Sequence, residues 1–409
     1  MQGLGRRFGL YLSASRLTMI DSIRDEFLSL LGRLFTSAEG CRQPVRVQWL
    51  VVRRNGRPFL LLPRGAAAAR IGLELYSAHR PVAKLVRSLL KLSLRAGFPA
   101  MLPRFETILD ASSDLTKFIC GHTQISDRHL HKLAIMFSRQ SIEHLRLVAL
   151  NCDETASLRR VVKVGLNPGA SGVVEQEAQL IASLPNHLGS NTVVDQLSTP
   201  LFSAFSTPFS AGTSPTNDEG VAPVLRSWLK SDSRKSIKSF RAWRDLVVAC
   251  GRLPRFQLLN TMVAEQTCYS AIYHGDFAPW NIRIESGGKW KVFDWERGDL
   301  NGLPAWDWFH FVVQTSVLAK RDSPLKAVSR IEELISSERF QEYAAAAGID
   351  RTTKPLFLAY LLYQQYIIKP DDGLDEIRSL HELLSARWRL NENLSSTSEP
   401  EPVCQSAPA

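Results

Sequence analysis

From Ile272 to Glu296 the chain reads Ile-Tyr-His-Gly-Asp-Phe-Ala-Pro-Trp-Asn-Ile-Arg-Ile-Glu-Ser-Gly-Gly-Lys-Trp-Lys-Val-Phe-Asp-Trp-Glu. Gly287-Gly288 is a preferred two-residue hairpin loop, because both positions can take a positive φ. With that loop Ser286 faces Lys289, and the register carried outward sets Asn281 opposite Asp294. Directly opposed residues have Cβ atoms roughly 4.5–5.5 Å apart. The pattern therefore predicts an amide oxygen and a carboxylate converging at the open end of the hairpin. Such a pair suits Mg²⁺, which takes few protein oxygens and leaves its other positions to water and phosphate. Asp276, in the loop before the hairpin, is left as the group that could receive a hydroxyl proton.

His274-Gly275-Asp276-x-x-x-x-Asn281 followed by Asp294-Trp295-Glu296 resembles the catalytic loop and metal motif of the aminoglycoside phosphotransferase and choline kinase family. That family is related to the protein kinases, whose matching motifs are H-R-D-x-x-x-x-N and D-F-G. The resemblance implies Asp276 as catalytic base and Asn281 and Asp294 as Mg²⁺ ligands, with His274 and Gly275 shaping the loop. Gly302-Leu303-Pro304-Ala305-Trp306-Asp307 matches a further family motif, which implies Asp307 as the residue that orients the catalytic loop. Asp-Trp-Glu in place of Asp-Phe-Gly, with no Ala-Pro-Glu element after it, argues against a protein kinase.

Upstream, three candidate strands, Leu133–Ser138, His144–Leu150 and Leu158–Val164, have short connections, as in an antiparallel meander. The third holds Val161-Val162-Lys163-Val164. A kinase uses a lysine in such a strand to hold the α- and β-phosphates of the nucleotide; the plainer reading is an edge lysine facing water. The next helix favours the first reading. Val173, Glu177, Leu180 and Leu184 follow one another at helical spacing, so Glu177 lies in an apolar stripe and needs a partner, for which Lys163 is the obvious candidate. Glu175 lies off the stripe. Family members often have a glycine-containing phosphate loop between the first two strands. Here that connection is Arg139-Gln140-Ser141-Ile142-Glu143, leaving Ser138 and Ser141 as the hydroxyl donors to a nucleotide.

With 409 residues the chain has room for two or three domains. Its hydrophobic fraction of 44% and charged fraction of 22% are those of an ordinary globular protein. No apolar run approaches the roughly 20 residues of a membrane span. The six cysteines are scattered, without metal-ligand or paired spacing, which fits a reducing, cytoplasmic setting. The net charge of +10 is uneven: residues 1–110 carry a net +11, and the remainder is near neutral. No nucleic-acid-binding motif accompanies this basicity, so no nucleic-acid partner is expected.

Four regions follow. Residues 1–110 form a basic N-terminal accessory region: an amphipathic helix from Met19 to Phe35, a hairpin of strands Val45–Val52 and Pro58–Leu62 turning at Asn55-Gly56, and helices over 66–77 and 81–96. Residues 111–211 make a kinase-like small lobe, completed by strands Thr192–Leu197 and Leu201–Phe205. Residues 212–390 make a large lobe with the catalytic loop; helices run over 221–230, 235–251, 255–269, 306–318, 324–336, 338–346, 355–369 and 374–390. Pro208 to Gly220 has linker composition, and residues 391–409 read as a disordered tail. The expected fold class is α+β: a two-lobed protein-kinase-like fold, with a small antiparallel sheet lobe, a larger mainly helical lobe and an N-terminal α/β extension.

The resemblance implies a Mg²⁺-dependent kinase moving the γ-phosphate of ATP or GTP to a hydroxyl on a sugar, amino alcohol or aminoglycoside-like acceptor. The alternative, motivated by the glycine-free loop, is a catalytically inactive kinase-like nucleotide-binding or scaffolding protein. In the helix over 81–96, Lys84, Arg87, Lys91 and Arg95 form a cationic stripe, with Val82, Leu85, Leu89, Leu92 and Ala96 on another side. Either the apolar side packs on the hairpin and the stripe is solvated, or the helix contacts an anionic membrane peripherally.

Overall fold

The structure, a computed structural model, describes residues 35, 42–54, 57–78, 81–97, 102–121, 127–137, 145–152, 159–185, 188, 192–370 and 373–388. The chain is mixed α and β, with a sheet-based part and a mainly helical part, as expected. It divides into two units. One takes the chain up to Tyr76 together with Val86–Ala178 and Val193–Phe209; the other takes Ser77–Leu85, Gln179–Thr192 and the chain from Ser210 onward.

The first unit is organised by an antiparallel sheet. Its strands are β1 (Pro44–Arg54), β2 (Arg57–Pro63), β3 (Arg104–Asp110), β4 (Leu133–Phe137), β5 (Arg146–Asn151), β6 (Arg160–Gly165), β7 (Asp195–Ser198) and β8 (Ser203–Pro208), in the order β3-β1-β2-β4-β5-β6-β8-β7. Val45, Val47 and Trp49 of β1 alternate with polar neighbours and are buried, the period of a strand with one face on a core. Leu133, Ile135, Leu147, Ala149, Val162 and Val164 enter the same core as Val47, Trp49 and Leu109.

This sheet crosses residue 110 without a break. β2 pairs with β4 (Leu60 opposite Met136, Leu61 opposite Ile135), so residues 44–110 continue the meander expected over 111–211. A lone hairpin is marginal in water, and an open strand edge needs cover; joining the sheet meets both demands. β3, absent from the expected elements, lies against β1 from Pro44–Asp110 to Leu50–Arg104. The helix expected from Met19 lies outside the described residues except for its last position, Phe35, which is buried in the core of the sheet. The Asn55-Gly56 turn, the 139–143 connection and the tail over 391–409 also lie outside the described residues.

The helix Pro81–Arg95 reverses the packing expected for a solvated cationic stripe. Arg87 Nη2 and Lys91 Nζ pair with the Glu74 carboxylate at 2.6 and 2.5 Å. Burial raises the Glu74 pKa, but these two cations outweigh it and leave the carboxyl below its usual range. With that side occupied, Val82, Leu85, Leu89 and Leu92 are 73%, 60%, 56% and 62% exposed. Among the described residues no helix is long and apolar enough to cross a membrane.

In the second unit, β9 (Leu229–Ser236), β10 (Thr267–Tyr273) and β13 (Asp299–Gly302) form a sheet in the order β13-β10-β9, beside a hairpin of β11 (Ile282–Ile284) and β12 (Trp290–Val292). Two segments expected as helix ends are therefore strands. The run Thr-Cys-Tyr-Ser-Ala-Ile-Tyr of β10 is almost wholly buried, and short apolar runs do not separate strand from helix by period. The helices expected over 324–336 and 338–346 are present as Pro324–Ser336 and Glu338–Ala347. Thr353–Tyr363 is buried on almost every side, as the all-round apolar sequence requires. It and Trp306–Gln314 each run directly into a π-helical turn, Gln364–Ile368 and Thr315–Lys320.

Candidate active site

The loop after β10 is built around two backbone demands. Gly275 has φ +80, and a Cβ there would lie 2.6 Å from the Arg297 carbonyl oxygen, so only glycine fits between His274 and Asp276. The Asp307 carboxylate then caps the loop from the first turn of its helix: Oδ2 accepts from the His274 N–H at 2.7 Å and Oδ1 from the Gly275 N–H at 3.0 Å. Burial pushes the Asp307 carboxyl up to about 7, against the pull of those two N–H groups.

His274 is fully buried, and its two ring nitrogens face different elements. Nδ1 accepts from the Asp276 N–H at 3.1 Å, and Nε2 lies 2.7 Å from the Phe293 carbonyl oxygen. A nitrogen facing a carbonyl must carry the proton, so the ring ties the loop to the end of the hairpin as a neutral donor and acceptor. Burial lowers its pKa to about 4, although the nearby Asp276 and Asp294 carboxylates oppose that shift.

The hairpin itself corrects the expected register. β11 and β12 pair Ile282 with Val292, Arg283 with Lys291 and Ile284 with Trp290, and the Phe293 N–H donates to the Asn281 carbonyl at 2.9 Å. Asn281 therefore faces Phe293, one residue short of Asp294. The cause is the loop. Gly288 N–H donates to the Glu285 carbonyl at 3.0 Å while Glu285 N–H donates to the Lys289 carbonyl at 2.9 Å, so Ser286, Gly287 and Gly288 all lie in the turn, with both glycines at positive φ. A one-residue slip sends a side chain to the opposite face of a strand. Here the chain leaves the strand conformation instead: Asp294 has φ +67, a region Asp tolerates better than most residues.

Asn281 and Asp276 meet directly. Asn281 Nδ2 donates to the Asp276 backbone carbonyl and to its Oδ2, both at 2.9 Å. This turns the amide nitrogen toward Asp276 and leaves Oδ1 as the oxygen end. Asp276 Oδ1 accepts from His310 Nε2 at 2.9 Å, and the side chain is 27% exposed. His310 is not among the residues the sequence singles out. The one available signal is its position three residues after Asp307, which puts the two on one side of a helix.

In the first unit, Lys163 of β6 and Glu177 of the helix Pro168–Ser183 form an ion pair at 2.5 Å, with the side chains 13% and 2% exposed. The buried stripe of that helix runs through Ala170, Val174, Glu177, Ala178 and Ile181, with Leu184 buried just past its end, slightly rotated from the expected one through Val173 and Leu180. Glu175 instead accepts from the Ser198 and Ser203 hydroxyls. Ser138 and Ser141 lie outside the described residues.

No protein-family model matches the chain, and no curated protein matches it. Solved structures do. An aminoglycoside phosphotransferase from Streptomyces rimosus ATCC10970 is similar at 17% identity over 56% of this chain and 92% of that one, with a TM-score of 0.36. The complex of that enzyme with ADP and streptomycin gives 16% identity over 55% and 91% of the two chains, with a TM-score of 0.36. A macrolide 2'-phosphotransferase from Brachybacterium faecium gives 15% identity over 65% of this chain and 93% of its own, with a TM-score of 0.34.

Proposed function

We propose that the chain is a small-molecule kinase that transfers the γ-phosphate of ATP or GTP to a hydroxyl of a sugar, amino alcohol or aminoglycoside-like acceptor. The observation that carries this reading is the Asp276 carboxylate, partly exposed and fixed by Asn281 and His310, on a loop locked by Asp307 and His274. Asp276 orients the acceptor hydroxyl and takes its proton as the oxygen attacks phosphorus, a general-base role of about 10²–10⁴-fold. Asn281 Oδ1 and the Asp294 carboxylate are hard oxygen donors of the kind Mg²⁺ takes, and they would hold the metal. When bound, Mg²⁺ neutralises phosphate charge. Lys163, steadied by Glu177, would pair with the nucleotide phosphates. The test is release of ADP or GDP from Mg²⁺–nucleotide across a library of small hydroxyl compounds. Acceptor-dependent release is expected; Mg²⁺-dependent nucleotide binding without turnover would mark an inactive scaffold instead.

We also propose peripheral contact with an anionic bilayer through the helix Pro81–Arg95, supported by its exposed leucines flanked by exposed Lys84 and Arg95. Such a helix gains from apolar burial and from roughly 1 kcal/mol per cation near the surface. Sedimentation with phosphatidylserine liposomes should retain the protein, less at high salt, and Leu85→Asp with Leu89→Asp should release it. Equal partition of wild type and variant would sink the idea.

A further inference from the structure

Behind Asp276 lies a hydrogen-bonded chain that the proposed chemistry does not by itself require. His310, 1% exposed, directs Nε2 at Asp276 Oδ1 (2.9 Å) and Nδ1 at the Tyr360 hydroxyl (3.0 Å). Tyr360 is fully buried on the helix Thr353–Tyr363, and His310 lies on the helix Trp306–Gln314. Three separate elements thus meet at one imidazole: the loop, the helix that also carries Asp307, and the buried helix. Two aromatic contacts hold the pair of helices together beside it, Trp306 with Tyr360 at 5.9 Å and Phe309 with Phe357 at 4.6 Å.

The donor and acceptor inventory leaves one neutral arrangement. A carboxylate only accepts, so His310 Nε2 must carry the proton it presents to Asp276; Nδ1 then only accepts, and the Tyr360 hydroxyl donates to it. Burial raises the Tyr360 pKa well above its ordinary value, with Asp276 and Asp307 adding to the shift, so the hydroxyl keeps the proton it donates. The opposite tautomer would turn an imidazole lone pair toward the carboxylate and leave the Tyr360 hydroxyl proton without its acceptor, and buried polar groups without partners are costly. Oδ2 of Asp276 is held by Asn281, so each oxygen has its own donor and the carboxylate cannot rotate without losing a bond.

We infer that His310 is a positioning residue for the catalytic carboxylate, its Nε2 proton directed at Asp276 and its ring oriented by the Tyr360 hydroxyl, and that the two residues together fix the direction in which Asp276 meets the acceptor hydroxyl. The inference rests on the kinase reading above for its consequence, and on the geometry alone for its tautomer. A misplacement of about 1 Å at a reacting group can cost on the order of 10²-fold in rate, and this sets the size of effect expected.

The test has two arms. In the spectroscopic arm, histidine is labelled with ¹⁵N and the His310 resonances are assigned by their loss in His310→Gln. Wild type should show a ring protonated at Nε2 and not at Nδ1, and Tyr360→Phe should keep the Nε2 proton but shift the Nδ1 resonance as its hydrogen bond is lost; a wild-type ring protonated at Nδ1, alone or together with Nε2, overturns the inference. The kinetic arm uses whichever nucleotide and acceptor give turnover. His310→Leu should lower kcat on the order of 10²-fold with the nucleotide KM within a few-fold of wild type, and His310→Gln, whose amide nitrogen can donate in place of Nε2, should recover most of the loss. Equal rates for Leu and Gln, or a Leu variant as fast as wild type, overturn it. If wild type turns over no nucleotide with any acceptor, the kinase reading has failed, and the spectroscopic arm still decides the tautomer.

Discussion

Asp276→Asn is expected to lower turnover by at least about 10²-fold, the lower end of general-base effects, while the protein still folds. The amide keeps the size of the carboxylate but cannot take a proton. It also brings a local conflict. Both carboxylate oxygens now accept hydrogen bonds, from His310 Nε2 and Asn281 Nδ2, and an amide has one oxygen and one NH₂ group. Turned toward Asn281, its NH₂ meets a donor; turned toward His310, it forces the imidazole to carry its proton on Nδ1, facing the Tyr360 hydroxyl. With 27% of the Asp276 side chain exposed, water can relieve part of that clash, so the stability loss should stay within roughly 1–3 kcal/mol. Thermal melts and initial rates on the same preparation separate the two effects. A variant that keeps more than about a hundredth of the wild-type rate removes Asp276 from the base role.

Asp294→Ala should abolish Mg²⁺-dependent nucleotide binding more completely than Asn281→Ala, because a carboxylate brings full charge to the metal and an amide only a dipole. The structure refines how this is measured. Asp294 has φ +67, where an alanine is strained by about 1–2 kcal/mol, so Asp294→Asn is the cleaner companion: Asn tolerates that backbone and removes only the charge. Asn281→Ala, for its part, frees Asp276 Oδ2 and should therefore lose turnover beyond what its weaker metal binding explains. Calorimetric titration with Mg²⁺ and nucleotide, alongside rates at saturating metal, distinguishes these losses. Equal binding losses in Asp294→Asn and Asn281→Ala would show that charge at Asp294 is not what holds the metal.

Much of the candidate site was legible along the chain because it is local. His274, Gly275, Asp276 and Asn281 fall within eight consecutive positions, and a loop with a required glycine leaves few ways to arrange them. Asp307 was legible through its motif, and its two bonds to the His274 and Gly275 N–H groups explain the physical need for a carboxylate there. The hairpin register differs by one residue from the expected one, since Gly-Gly suits a two-residue loop and a longer turn equally, and only the cross-strand bonds choose between them. β10 lies where the sequence suggests the end of a helix, because a seven-residue apolar run has no telling period.

His310 and Tyr360 lie 34 and 84 positions beyond Asp276. In sequence both are ordinary members of apolar helices; their meeting depends on how those helices pack, which propensity and pattern leave open. The same holds for Glu74, whose pairing with Arg87 and Lys91 decides which side of the helix Pro81–Arg95 faces water. What this sequence determined by itself was the set of short-range arrangements, where the backbone restricts neighbours to a few geometries: the loop, the hairpin and the alternation of buried strands. Tertiary structure alone decided the rest: the joining of β2 to β4 across residue 110, the turn at Asp294, and the tautomer of His310. Each of these depends on a partner that local pattern does not specify, and a buried polar group takes its protonation and direction from whichever partner packing brings within hydrogen-bond reach.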